Sequence, residues 1–197
     1  HGLGRGKHQT LHGAESETSI MTRHLDLVSG ICKENGLAPM IWSDMFFRAK
    51  SKTHDYYDYS VDFSDKDRDF VPDNMSLVYW DYYHFDTEEY AEMINLHKKL
   101  SNKIIFAGCA RNTFTFGSHH DKTLATMNPA LSVCKEYGVN EVIATVWGDD
   151  QRESSTFAIL PGLQLFAEHM YSFKPDEKKL SQRFKSCVNA DYYAFCD

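Results

Sequence analysis

Four short apolar runs, each preceded or followed by a stretch with helical spacing, constrain this chain more than any other feature. They are Ala38-Pro39-Met40-Ile41-Trp42, Ser76-Leu77-Val78-Tyr79-Trp80, Lys103-Ile104-Ile105-Phe106-Ala107-Gly108 and Glu141-Val142-Ile143-Ala144-Thr145-Val146-Trp147. Runs that are apolar nearly throughout read as strands buried on both faces, and such strands belong to parallel sheets covered by helices. Strand and helix in alternation predict βα units and an α/β fold. The 197 residues correspond to about one domain, so a single domain over residues 1–197 is expected.

Between the strands, Met21, Leu25, Val28 and Cys32, with Ile20, Leu27 and Ile31 beside them, predict a helix capped by Ser16 and stopped at Asn35-Gly36. Residues 49–75 are polar and aromatic and read as one irregular connection. Asp86-Thr87-Glu88-Glu89 resembles a capping box ahead of Tyr90, Met93, Ile94 and His97. Asn128-Pro129 predicts a helix start, since proline at the first position loses no bond, and Gly138 an end. Phe157, Leu163, Phe166 and Met170 predict a helix bent or interrupted at Pro161, and residues 176–188 a last amphipathic helix through Leu180, Phe184 and Cys187.

Charge and cysteines narrow the function classes. Lys plus Arg is 21 against 28 Asp plus Glu, a net charge of -7 without a basic cluster, which argues against a nucleic-acid partner. No run of 18 apolar residues exists, so no membrane-spanning helix is expected. The five cysteines are odd in number and lack CxxC spacing. They read as reduced, mostly buried thiols, Cys32 and Cys134 as core, which favours a cytoplasmic setting. His119-His120-Asp121 reads as a solvated loop or helix start, not a metal cluster, and no metal or cofactor is expected. The opening Gly2-Leu3-Gly4-Arg5-Gly6 lacks the preceding strand of a phosphate loop. A first residue other than Met and an aromatic-rich end, Asp191-Tyr192-Tyr193-Ala194-Phe195-Cys196-Asp197, suggest a piece of a longer protein.

Two architectures fit, an open doubly wound sheet and part of a (β/α)8 barrel. A whole barrel takes about 250 residues, so four strands make about half of one. The strand ends favour the barrel. Trp42-Ser43-Asp44, Tyr79-Trp80-Asp81 and Trp147-Gly148-Asp149 each pair an aromatic ring with a carboxylate two residues on. Residues two apart on a strand share a side, and the carboxyl end of a barrel strand is where active sites lie. A phosphate-binding sheet would carry glycines there instead. Rings packing on C–H faces and carboxylates accepting from hydroxyls suit a sugar. Asp44, Asp81 and Asp149 also have the oxygens for a hard cation, a reading the flanking rings disfavour.

The segments Met40-Ile41-Trp42-Ser43-Asp44-Met45-Phe46-Phe47-Arg48, Tyr79-Trp80-Asp81-Tyr82-Tyr83-His84 and Ala144-Thr145-Val146-Trp147-Gly148-Asp149-Asp150 resemble glycoside hydrolase family twenty, the β-N-acetylhexosaminidases. Leu160-Pro161-Gly162-Leu163-Gln164-Leu165-Phe166-Ala167-Glu168 extends the resemblance. It implies strands five to eight of a (β/α)8 TIM barrel and a retaining exo-hydrolase in which the substrate's own acetamide oxygen is the nucleophile. It implies that Tyr79 orients the acetamide, that Trp42 and Trp147 wall the sugar, that Asp81 and Asp149 bind its hydroxyls, and that Asp44 stands one step behind. The family's catalytic Asp-Glu pair precedes the segment resembling His1-Gly2-Leu3-Gly4, so it is expected just upstream of His1 and this chain alone is expected to be inactive. Cys109-Ala110-Arg111-Asn112-Thr113-Phe114-Thr115-Phe116 departs from relatives that often carry tryptophan there, with Phe114 or Phe116 as the substitute ring. The implied partners are an N-acetylhexosamine-terminated glycan and either the N-terminal half-barrel or a second copy of the chain. Two other functions remain open from the residues: a sugar-binding module without catalysis, and a glycosidase of another class using Asp44, Asp81 or Asp149.

Overall fold

The computed structural model describes residues 3–112, 117–147 and 154–196. The protein is α/β, with four parallel strands in the order β1-β2-β3-β4 and helices between them. The strands are β1 (Met40–Trp42), β2 (Ser76–Trp80), β3 (Ile104–Cys109) and β4 (Glu141–Thr145). The helices are α1 (Lys7–His12), α2 (Glu17–Glu34), α3 (Asp44–Lys50), α4 (Thr87–Leu100), α5 (His120–Glu136), α6 (Leu160–Tyr171), α7 (Glu177–Val188) and α8 (Tyr193–Cys196). Met40 pairs with Ser76, Ile41 with Leu77 and Trp42 with Val78. Only β2 and β3 are buried as expected of inner strands. β1 and β4 are largely exposed, which corrects the expectation of burial on both faces, because each has a single neighbouring strand among the described residues. No helix among the described residues is long and apolar enough to cross a membrane.

The chain divides into two compact units. The first comprises His1–Tyr79 and Glu92–Ile105. Ser16 caps α2 as expected, its hydroxyl accepting the Ser19 N–H at 3.1 Å. The face that α2 buries is narrower than the apolar pattern suggested. Met21, Leu25 and Ser29 are inside, Cys32 is half-buried, and Leu27 and Ile31 are exposed. Residues 49–75 are not wholly irregular. They include the end of α3 and a 3-10 turn over Asp65–Phe70, in which Asp67 accepts the Ser64 N–H at 2.7 Å and salt-bridges Lys50. Phe47, Leu77, Tyr79, Met93, Ile94 and Leu100 form the centre of this unit's core.

The second unit comprises Trp80–Ala91 and Phe106–Asp197. Here α5 begins at His120, so Pro129 lies inside a helix whose start it was expected to mark. The buried face His120, Thr123, Met127, Ala130, Leu131 and Cys134 explains this. Packing along the whole face outweighs the one backbone bond that proline removes. Pro161 likewise stands in the first turn of α6 and does not interrupt it. Gly138 ends α5 as expected. It takes φ 72°, and the Val139 N–H returns to the Cys134 carbonyl at 2.8 Å. At Gly108 the unit is packed so closely that a Cβ would strike Met127 Sδ and lie 2.9 Å from the Phe166 ring. Only Cys109 and Cys134 are buried and Cys187 is exposed, which corrects the mostly buried reading.

Candidate functional site

In the first unit the end of β1 meets α4 through a buried polar network. Ser43 follows the strand directly, in helical conformation. Its N–H donates to the Val78 carbonyl at 3.0 Å, and its Oγ lies 2.7 Å from His97 Nε2 and 3.0 Å from the Tyr57 hydroxyl. His97 Nδ1 lies 2.8 Å from the Met93 carbonyl. A nitrogen facing a carbonyl must carry the proton, so in the neutral ring Nε2 accepts, and the one Ser43 hydroxyl proton is shared between His97 Nε2 and the Val78 carbonyl at 2.9 Å. The hydroxyl–imidazole spacing is that of an activated nucleophile, but both Ser43 and His97 are fully buried. The network is a latch that holds β1, β2 and α4 of this unit together.

Trp42 and Asp44 flank the latch differently from the strand expectation. Trp42 is the last residue of β1 and 41% exposed. Asp44 is the first residue of α3 and buried. The period-two rule that would aim both side chains one way stops where the helix begins. Tyr79 is 0% exposed, with the Tyr57 ring edge-on at 5.1 Å and the His97 ring at 4.7 Å. The acetamide-orienting candidate is thus a core residue in this chain.

In the second unit Asp81 is also buried, at 2% exposure. Its Oδ1 accepts the Tyr83 N–H at 3.0 Å and its Oδ2 lies 2.6 Å from His84 Nδ1. The Asp81 carboxylate raises the His84 pKa, with Glu89 at 3.9 Å adding to the effect against partial burial. The Tyr90 hydroxyl donates to the His84 carbonyl at 2.9 Å, closing the turn. Trp80, Tyr82 and Tyr83 form an aromatic cluster, with Tyr82–Tyr83 ring centroids 4.7 Å apart and Trp80–Tyr82 5.8 Å. Trp147 lies two residues past β4 and is half-buried. Asp149, Phe114 and Phe116 lie outside the described residues.

Sequence reasoning missed the His97–Ser43 and His84–Asp81 pairs. The second was within reach, since a histidine three residues after a strand-end aspartate can fold back onto it. It also missed a cavity of about 630 Å³ in the second unit, lined by His120, Leu165, Leu180, Tyr192 and Tyr193 among others. There His120 Nε2 pairs with the Tyr192 hydroxyl at 2.7 Å, and burial lowers the His120 pKa. Among the described residues no group of three or more His, Cys, Asp or Glu side chains forms a candidate metal site. No family model and no curated protein matches the sequence.

Proposed function

We propose that this chain is the C-terminal half of the catalytic barrel of an exo-acting β-N-acetylhexosaminidase, contributing strands five to eight. The observation that carries the reading is the repeated ring-and-carboxylate pattern at three strand ends, within segments that resemble one family over nearly the whole chain. The sheet order supports it. Four parallel strands in unbroken sequence order suit a barrel, whereas a doubly wound sheet reverses order at its switch point.

In this reading the acetamide oxygen of a terminal N-acetylhexosamine attacks the anomeric carbon. The C1–O bond to the leaving group breaks, a C1–O bond to the acetamide forms, and the leaving oxygen takes its proton from the Glu of the upstream Asp-Glu pair. Water then opens the oxazolinium ring with retention. Tyr79 donates to the acetamide, Trp42 and Trp147 wall the sugar, and Asp81 and Asp149 accept from its hydroxyls, with Asp44 behind them. Holding the internal nucleophile in place can contribute on the order of 7–11 kcal/mol to lowering the barrier. Desolvating the acetamide methyl adds about 1–3 kcal/mol of discrimination. The assembled site must free the Tyr79 hydroxyl from the packing it has here.

The test is an aryl N-acetylglucosaminide assay on the 197-residue chain and on the chain extended upstream through the Asp-Glu pair. The extended protein is expected to turn over and the short one not to. Robust turnover by the short chain, or none by a folded extended protein, overturns the reading.

A further inference from the structure

The second unit carries two cations that no carboxylate neutralises among the described residues. The Arg111 guanidinium carbon lies 5.6 Å from the centre of the Tyr83 ring, and Lys122 Nζ lies 5.9 Å from the centre of the same ring. Neither forms an ion pair with a described residue, in a chain whose net charge is -7. The Arg111 Nε is buried and has no hydrogen-bond partner among the described residues. Partial burial, with Arg111 nearby, lowers the Lys122 pKa, the expected response of an ammonium that has lost water and faces a like charge.

Both cations are anchored to the first turn of α5. The Arg111 N–H donates to Thr123 Oγ1 at 3.0 Å, and the Arg111 carbonyl accepts from the His119 N–H at 3.0 Å and from Ser118 Oγ at 3.3 Å. Lys122 belongs to that turn. The N-cap residue, His119, makes no side-chain cap bond, so the free N–H groups of this 17-residue helix add positive potential at the same place. Asp121, the acid of the turn, is exposed and pairs with neither cation. Two like charges against one ring are costly unless something negative joins them.

We propose that Arg111 and Lys122, set against Tyr83 at the start of α5, form a binding site for one oxyanion group, a carboxylate, sulfate or phosphate. The planar guanidinium offers a fork that matches two oxygens, and the ammonium a point charge for the third. Tyr83, 50% exposed, leaves the site open to solvent and to a ligand carried on a larger molecule. The site does not depend on the hexosaminidase reading. Where that reading holds, it selects glycans with an acidic substituent near the cleaved sugar.

The test titrates the protein with sodium sulfate at constant ionic strength, read by calorimetry and by the fluorescence of Trp80, whose ring lies 6.4 Å from Tyr83. Saturable binding is expected. Lys122→Gln and Arg111→Gln should each weaken it about tenfold, the loss of one charge-assisted hydrogen bond. Arg111→Lys, which keeps the charge without the fork, should fall between. An equal response to chloride, or unchanged affinity in a folded Lys122→Gln protein, overturns the proposal. A second arm compares N-acetylglucosamine 6-sulfate with N-acetylglucosamine. Tighter binding of the sulfated sugar than of either inorganic sulfate or the neutral sugar identifies an acidic sugar as the ligand. Sulfate binding with no gain from the sugar upholds the anion site and counts against the hexosaminidase reading alone.

Discussion

The two units each set a histidine beside the end of β1 or β2, and the two histidines do opposite work. In the first unit His97 is sealed, hydrogen-bonded at both nitrogens, and packed at a tilt against the Phe47 and Tyr79 rings. In the second, His84 is partly open, paired to a buried carboxylate and within 3.9 Å of another. Polar groups near a strand end therefore do not by themselves mark a site. A closed network stabilises the fold, whereas a partly exposed one stays within reach of solvent.

The largest effect that sharpens this contrast is expected at the closed network. His97→Ala removes one partner of the Ser43 hydroxyl and the imidazole N–H at the Met93 carbonyl, and opens a cavity in a buried site, so it should cost about 3 kcal/mol in urea unfolding. A loss under about 1 kcal/mol would mean that water reaches the ring and that the latch is not closed. Gly108→Ala should cost about 1–3 kcal/mol in the second unit by forcing Met127 and Phe166 aside. A neutral result there would show that this packing yields.

The pH dependence separates histidines within the second unit. The His84 pKa is raised by Asp81, so its contribution is fully present below the unfolded histidine value of about 6.5 and fades as pH rises through the raised value. Burial, with Lys135 nearby, lowers the His169 pKa to about 4, so stability falls as pH drops from about 6.5 toward that value. His84→Gln should lower the melting temperature at pH 6 and change it little at pH 9. The same variant losing equally at both would rule out the ion pair. The smallest effect is expected at Lys122. Lys122→Gln should move stability by less than about 0.5 kcal/mol while still weakening sulfate binding, and a large loss of stability would make it a structural residue.

Legibility in the sequence followed the range of the forces involved. β2 begins and ends where its apolar run does, and the Ser16 cap and Gly138 stop were readable, because each depends on a few adjacent residues. Asn128-Pro129 misled for the same reason. In a local window proline marks a beginning, and only the burial of His120, Thr123 and Met127 shows that α5 starts earlier. Counting along a strand puts Asp44 on the side of Trp42, but the strand ends at Trp42 and α3 begins at Asp44 itself.

The sequence by itself determined the α/β alternation, the order of strands and helices, and the chemical character of the strand ends, since periodicity and residue type encode these directly. Tertiary structure alone decided that Tyr79 and His97 are core, that Asp81 is held by His84, and that Arg111 and Lys122 meet at one ring. Burial and the pairing of charges depend on residues brought together by the fold, and no spacing along the chain records those distances.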